Sequence, residues 1–385
     1  MSNQWSFQTK LLHNHHKYDP VTGAVSVPIQ HASTFHQKTL DQSPEFDYSR
    51  SGNPTRKALE EAIAELEGGA RGFAFASGMA AISTAFLLLS SGDHVLVTED
   101  VYGGTYRIVA DVLSRFGIEY TFVDMTDLNE VEANIRPNTK VIYIETPSNP
   151  LLKITDIRAV VKLAKKYGCL TFVDNTFMTP ALQRPLDLGA DVVLHSATKF
   201  LAGHSDCLAG LAVVKDEKLG EELYKLQNAF GAVLGPHDCW LVLRGLKTLQ
   251  VRLNQSTETA LQLAKFLQNH SSVRKVYYPG LDGHAGADIH RKQSGGAGAV
   301  LSFELKDEKA VKTLASNIEL PVFAVSLGAV ESILSYPAKM SHAAMPKEER
   351  EKRGITDGLL RLSVGLESFE DLRRDLQHGL DKILA

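Results

Sequence analysis

Cysteine is scarce in this chain, three among 385 residues: Cys169, Cys207 and Cys239. They fall in or beside apolar stretches without metal-ligand spacing, which argues against a disulfide framework and suits reduced packing thiols. Long apolar runs are also missing, and none approaches the roughly 20 residues that a membrane-spanning helix needs. The net charge is only -4 and no basic block stands out, so nucleic acid finds no electrostatic footprint. Neither GxGxxG nor GxxxxGK[ST] follows an apolar run, which counts against a nucleotide site. The opening MSNQWSFQTK lacks the charged and then apolar pattern of a secretory signal, and a cytoplasmic location is expected from that. His13, His15 and His16 have no acidic or Cys partner nearby and read as an exposed arm rather than a metal site.

What is present is the composition of an enzyme-sized globular chain, 44% hydrophobic and 22% charged, with length for two or three domains. From about residue 54, helix-like and strand-like segments alternate. Asn53-Pro54 opens a helix with proline at its first position, Leu59, Ile63 and Leu66 share one face, and Gly68-Gly69 ends it. Strand-like runs follow at 72–77, 94–100, 120–125, 141–146, 169–175 and 191–197, with helices predicted from Gly78, over 104–116 and from Thr155 to about Gly168. Short Val/Ile/Phe-rich runs separated by amphipathic helices predict an α/β domain of parallel strands with helices on both faces. Beyond about 247 the pattern changes to a helix near 256–269, strands near 273–278 and 297–304, and a last helix over 368–384, a smaller α+β domain. Expected boundaries are an N-terminal arm over 1–50, a large domain over 51–246 and a C-terminal domain over 247–385. The arm has little periodicity and is expected to pack on a neighbouring subunit.

In open α/β sheets ligands bind beyond the carboxyl ends of the strands, so the residues there carry the functional reading. The stretch ASGMAAI places Ser77-Gly78-Met79 at a helix N-terminus, where free amides and the helix dipole can hold a phosphate. Asp174 ends an apolar strand, where a carboxylate is costly unless paired. Lys199 follows the apolar run DVVLHSA, and burial there would lower its pKa and prepare the amine to attack a carbonyl. Each has a plainer reading: a ligand-free turn, a salt-bridged acid, a lysine that balances a charge, and for Tyr102 a half-buried loop aromatic. Pyridoxal 5'-phosphate (PLP) would use all of them together. Lys199 would bond to its aldehyde, Asp174 would pair with the ring nitrogen, Tyr102 would stack on the ring, and Gly78 and Met79, joined by Ser196 and Thr198, would grip the phosphate.

The segments YSRSGNPT (48–55), FASGMAAI (75–82), VYGGTY (101–106), ETPSNP (145–150), VDNTF (173–177), HSATKFLAGHSD (195–206) and SLGAVES (326–332) resemble the Cys/Met-metabolism family of PLP enzymes over nearly the whole chain. The resemblance implies the aspartate-aminotransferase-like fold (fold type I), with a mostly parallel sheet in the large domain and a smaller C-terminal α+β domain. It implies that Tyr48 and Arg50 reach the cofactor phosphate of a neighbouring subunit, in a homotetramer built as a dimer of dimers with shared active sites. It implies that Arg361, in LLRLSVGLE, clamps the substrate carboxylate with help from Asn149 and Ser326.

Within the family the resemblance lies nearest to bacillus-type members that cleave L-cystathionine at its β carbon, releasing homocysteine for methionine biosynthesis with pyruvate and ammonia. Members acting at the γ carbon commonly carry glutamate just before the serine of the SLGG-type motif, and Val325 stands there. Methionine γ-lyases carry a cysteine where this chain has Gly104. Elimination or replacement at the γ carbon remains the alternative, as does a non-catalytic regulator that binds PLP.

Overall fold

The computed structural model describes residues 5–13, 18–42, 44–343 and 345–384. His15 and His16 of the expected arm lie outside the described residues; His13 is exposed at the end of a short helix, Phe7–His13. Two sheets organise the rest. The larger has seven strands: β1 (Arg71–Phe75), β2 (His94–Thr98), β3 (Glu119–Val123), β4 (Thr139–Glu145), β5 (Leu170–Asp174), β6 (Val192–Ser196) and β7 (Gly210–Val214), in the order β1-β7-β6-β5-β4-β2-β3. Strands β3, β2, β4, β5 and β6 run parallel. The sequence reading did not foresee β7, and it makes the far edge antiparallel, pairing with β6 on one side and β1 on the other. The mostly parallel sheet therefore holds, with an antiparallel edge formed by β6, β7 and β1. After Lys199 the chain folds straight back along β6, so no crossover helix separates the two strands.

The smaller sheet contains β8 (Lys275–Tyr277), β9 (Val300–Glu304), β10 (Val322–Phe323), β11 (Ile333–Ser335) and β12 (Leu359–Ser363), ordered β10-β11-β12-β9-β8. Its apolar face closes on the helices Leu249–Gln268 and Phe369–Leu384 through Leu263, Leu267, Phe303, Leu360, Leu372 and Leu376. Among the described residues no helix is long and apolar enough to cross a membrane.

Local signals account for the elements that matter to the site. The helix Pro54–Glu67 starts where the Asn53 side chain accepts from the Thr55 and Arg56 amides, and stops at Gly68 in the left-handed region. The helix Gly78–Phe86 is capped by Ser77, whose hydroxyl accepts from the Ala80 amide. The expected helix over 104–116 is helical but changes pitch, from an α turn over Gly103–Arg107 to a π turn over Ile108–Val112 and a 3-10 turn over Leu113–Phe116.

One buried cation fixes the turn that follows Lys199. Arg252 donates to the carbonyls of Phe200 and Gly245, each at 2.8 Å, and to the Thr248 hydroxyl at 3.0 Å. Gly203, at φ +74°, passes so close that a Cβ there would meet the guanidinium at 2.2 Å. Replacing Arg252 by Met leaves the buried Phe200 carbonyl without its donor, while the Gly245 carbonyl keeps the Thr248 amide and hydroxyl, and urea unfolding is expected to show a loss of about 1–3 kcal/mol.

Candidate active site

The carboxyl ends of β1, β2, β4, β5 and β6 and the loop 325–327 of the smaller domain enclose a cavity of about 480 Å³. Gly78, Met79, Tyr102, Asn149 and Asp174 line it, as do Ser196, Thr198, Lys199, Ser326 and Arg361. Tyr48 and Arg50 do not. Both are exposed, with the Arg50 guanidinium over the Tyr48 ring at 5.4 Å and its Nε donating to Asn228.

Lys199 sits on the turn after β6, and its Nζ donates to the Ser326 hydroxyl at 2.6 Å. Burial, reinforced by the nearby positive charge of Arg361, brings the amine down to about 8. Ser326 has φ +88°, unusual for a residue with a Cβ. That twist turns its carbonyl toward Arg361 while its hydroxyl meets Lys199.

Arg361 lies in the middle of β12 and is 3% exposed. Its Nη1 donates to the Asn149 side-chain oxygen at 2.8 Å, and its Nη2 donates to the Ser326 carbonyl at 2.6 Å and the Ser335 hydroxyl at 3.2 Å. Its Nε has no partner, and no carboxylate forms an ion pair with it among the described residues. A buried guanidinium held only by neutral oxygens is suited to receive a carboxylate.

Asp174 closes β5 with its carboxyl buried. It accepts from the Thr176 amide at 3.0 Å and from the fully buried Tyr143 hydroxyl at 3.3 Å. Burial pushes the Asp174 carboxyl up, while the hydrogen bonds from Thr176 and the nearby His195 pull it down. Glu145, the last residue of β4, pairs in register with Asp174 and also lines the cavity. Burial first, and then the charge of Asp174, pushes it well above the usual carboxylate range. Its two oxygens accept from the backbone amides of Tyr102 and Asn149, each at 3.0 Å.

At the other end of the cavity, the Ser77 cap leaves the Gly78 and Met79 amides with no intrahelical carbonyl to bond. Gly78 is required here, because a Cβ would meet the Ser196 Cβ at 2.8 Å. The Thr198 hydroxyl exchanges hydrogen bonds with the Ala209 backbone at 3.2 and 2.9 Å, so it lines the cavity while already engaged. Gly104 has no room for a side chain either, since a Cβ would come within 2.5 Å of the Tyr102 ring and 2.6 Å of the Met79 sulfur. The sequence reading gave no role to Tyr143, Glu145, Ser335 or Arg107, although Arg107 lines the cavity as well. Glu145 was legible as a carboxylate at a strand end, whereas Tyr143 lies inside the apolar run VIYIET with nothing to distinguish it.

Aldehyde-ready amine, buried acid without an ion-pair partner, open guanidinium and amide-lined anion cradle together describe a site for a phosphorylated pyridine aldehyde and an amino acid. The model of the Cys/Met metabolism PLP-dependent enzyme family matches residues 8–381, and the chain belongs to that family. It is a fold type I enzyme that uses PLP. Among relatives, it is 73% identical over 381 residues to cystathionine beta-lyase MetC of Bacillus subtilis (strain 168), covering 99% of this chain and 98% of that protein. It is 52% identical to a cystathionine gamma-lyase of the same organism, over 98% of this chain and 99% of that one. The crystal structure of cystathionine gamma-lyase from Lactobacillus plantarum complexed with L-serine superposes with a TM-score of 0.96 at 48% identity, covering 99% of this chain and all of that one.

The depressed Lys199 pKa predicts a reactivity profile. Only the neutral amine attacks a carbonyl, so reductive methylation of Lys199 in the cofactor-free protein is expected to rise with pH and reach half its maximum near 8. Exposed lysines should follow the ordinary value near 10.4. Peptide mass spectrometry at stepped pH distinguishes the two.

Proposed function

We propose that this chain is a carbon-sulfur lyase that eliminates at the β carbon of L-cystathionine, giving homocysteine, pyruvate and ammonia. The observation that carries the reading is the Lys199 amine, depressed to about 8 and held by Ser326 beside the open guanidinium of Arg361. An amine far easier to deprotonate than an ordinary lysine and a carboxylate receptor thus share one cavity. The residues present fit PLP: amides of Gly78 and Met79 with Ser196 would hold the phosphate, Tyr102 would lie against the ring, Asp174 at the ring nitrogen and Lys199 at the aldehyde, whereas the Thr198 hydroxyl would have to release the Ala209 carbonyl to join them. When bound, PLP supplies an electron sink for the substrate carbon that loses its proton.

Arg361, backed by Asn149 and Ser326, takes the substrate carboxylate and so orients the Cα–H bond toward Lys199. Lys199 Nζ removes that proton as general base. Asp174 holds the ring-nitrogen proton in place. Cleavage at Cβ needs no further proton removal, whereas cleavage at Cγ needs a second one at Cβ. Val325, immediately before Ser326, lines the cavity at 63% exposure and offers no carboxylate for that second step. The 73% identity to a protein named as a β-lyase supports the same side. Tyr48 and Arg50, exposed and off their own chain's cavity, serve the cofactor phosphate of a neighbouring subunit in this reading, in a homotetramer of two such dimers. Three unpaired thiols accord with a cytoplasmic location.

Purified enzyme given L-cystathionine is expected to release pyruvate and homocysteine; 2-oxobutyrate and cysteine as main products would overturn the β assignment. Lys199→Ala is expected to cut turnover by at least about 10²-fold while retaining some PLP without a covalent bond. Mixing inactive Lys199→Ala subunits with weakened Arg50→Ala subunits tests the shared site. Mixed dimers carry one site with both lesions and one with neither, so activity should return, and verified mixed dimers without it would place Arg50 in its own chain's site.

A further inference from the structure

Glu145 is a buried acid in the cavity with no assigned part in the chemistry. It is 6% exposed, and among the described residues no Lys or Arg forms an ion pair with it. What satisfies it is backbone. Its own amide donates to the Thr98 hydroxyl at 3.2 Å, which anchors the end of β4 to β2. One carboxyl oxygen accepts from the Tyr102 amide and the other from the Asn149 amide, each at 3.0 Å. Those amides lie on separate loops, and Asn149 in turn holds Arg361 at 2.8 Å.

We infer that Glu145 is a positioning residue that sets the spacing between the Tyr102 ring and the Asn149–Arg361 carboxylate receptor. This rests on the reading that Tyr102 stacks on the cofactor and Arg361 receives the substrate. The need for an acid follows from the donors. Two backbone N–H groups converge on the two ends of one planar group, so both ends must be acceptors. A carboxyl group meets that demand. The isosteric amide of Gln does not, because its NH₂ would face an N–H and one loop would lose its tether. Packing alone would not tell Glu from Gln, since their volumes are alike.

The test uses full-length, PLP-loaded protein and two readouts besides activity. Visible circular dichroism of the bound cofactor reports the ring environment, and the Kd for glycine, followed by the change in cofactor absorbance, reports the carboxylate receptor. Glu145→Gln is expected to weaken the dichroism and to raise the glycine Kd about tenfold together, with PLP content unchanged. Glu145→Asp keeps two acceptors on a shorter stem and is expected to move both readouts the same way by less, which covers the case of a Gln variant that does not fold. Tyr102→Leu and Arg361→Lys serve as controls, the first expected to move the dichroism and the second the Kd. A Glu145→Gln protein that leaves either readout at the wild-type value while the controls respond overturns the inference. Controls that leave both readouts unmoved defeat the underlying reading of Tyr102 and Arg361, and the inference falls with it.

Discussion

The hydrogen bond from Lys199 to Ser326 is the contact on which the cavity depends. It joins residues 127 positions apart, one at the end of the larger sheet and one at the entrance to the smaller. Ser326 can serve it only because its backbone is held at φ +88°, a conformation that costs energy and persists where the surroundings enforce it. The enforcement is visible two residues on. The Gly328 amide donates to the Ser363 hydroxyl at 2.8 Å, and Gly328 is packed so that a Cβ would fall 2.6 Å from the Phe200 nitrogen. Thus Arg252, which fixes Phe200 from one side, and β12, which fixes Gly328 from the other, jointly hold the turn that aims Lys199.

Two acids in the cavity look alike in sequence but are held by different groups. Asp174 and Glu145 end adjacent strands in register, and burial raises both. Glu145 has each oxygen on a backbone amide and is structurally complete. Asp174 is held instead by the Thr176 amide and side chain and by the Tyr143 hydroxyl, with His195 nearby. On the proposed reading it is Asp174 that a protonated ring nitrogen would meet. Arg361 is incompletely satisfied, since its Nε is unpartnered and its other nitrogens touch only neutral oxygens.

Much of this was legible in the sequence, for reasons that can be named. Asn53-Pro54, Ser77 and Gly68 are capping signals that act locally, and their helices begin and end as expected. Lys199, Asp174 and Tyr102 were recognisable because each follows a strand-like run and is chemically out of place there. Strand β7 was not legible: GLAVV is short, and its antiparallel pairing depends on the tight turn after Lys199 rather than on its own pattern. Nor could the sequence show that the Thr198 hydroxyl is engaged by Ala209, or that Ser326 faces Lys199 and Arg361 at once. Those are long-range geometric facts.

On the proposed reading, the choice between cleavage at Cβ and at Cγ reduces to counting proton acceptors near the substrate. Lys199 supplies one. Glu145 uses both its oxygens to hold Tyr102 and Asn149. In the same reading Asp174 serves the ring nitrogen, and position 325, which lines the cavity, carries Val. On this reading one base and a receptor for one carboxylate suffice to break a bond at Cβ, where a single proton has to leave carbon.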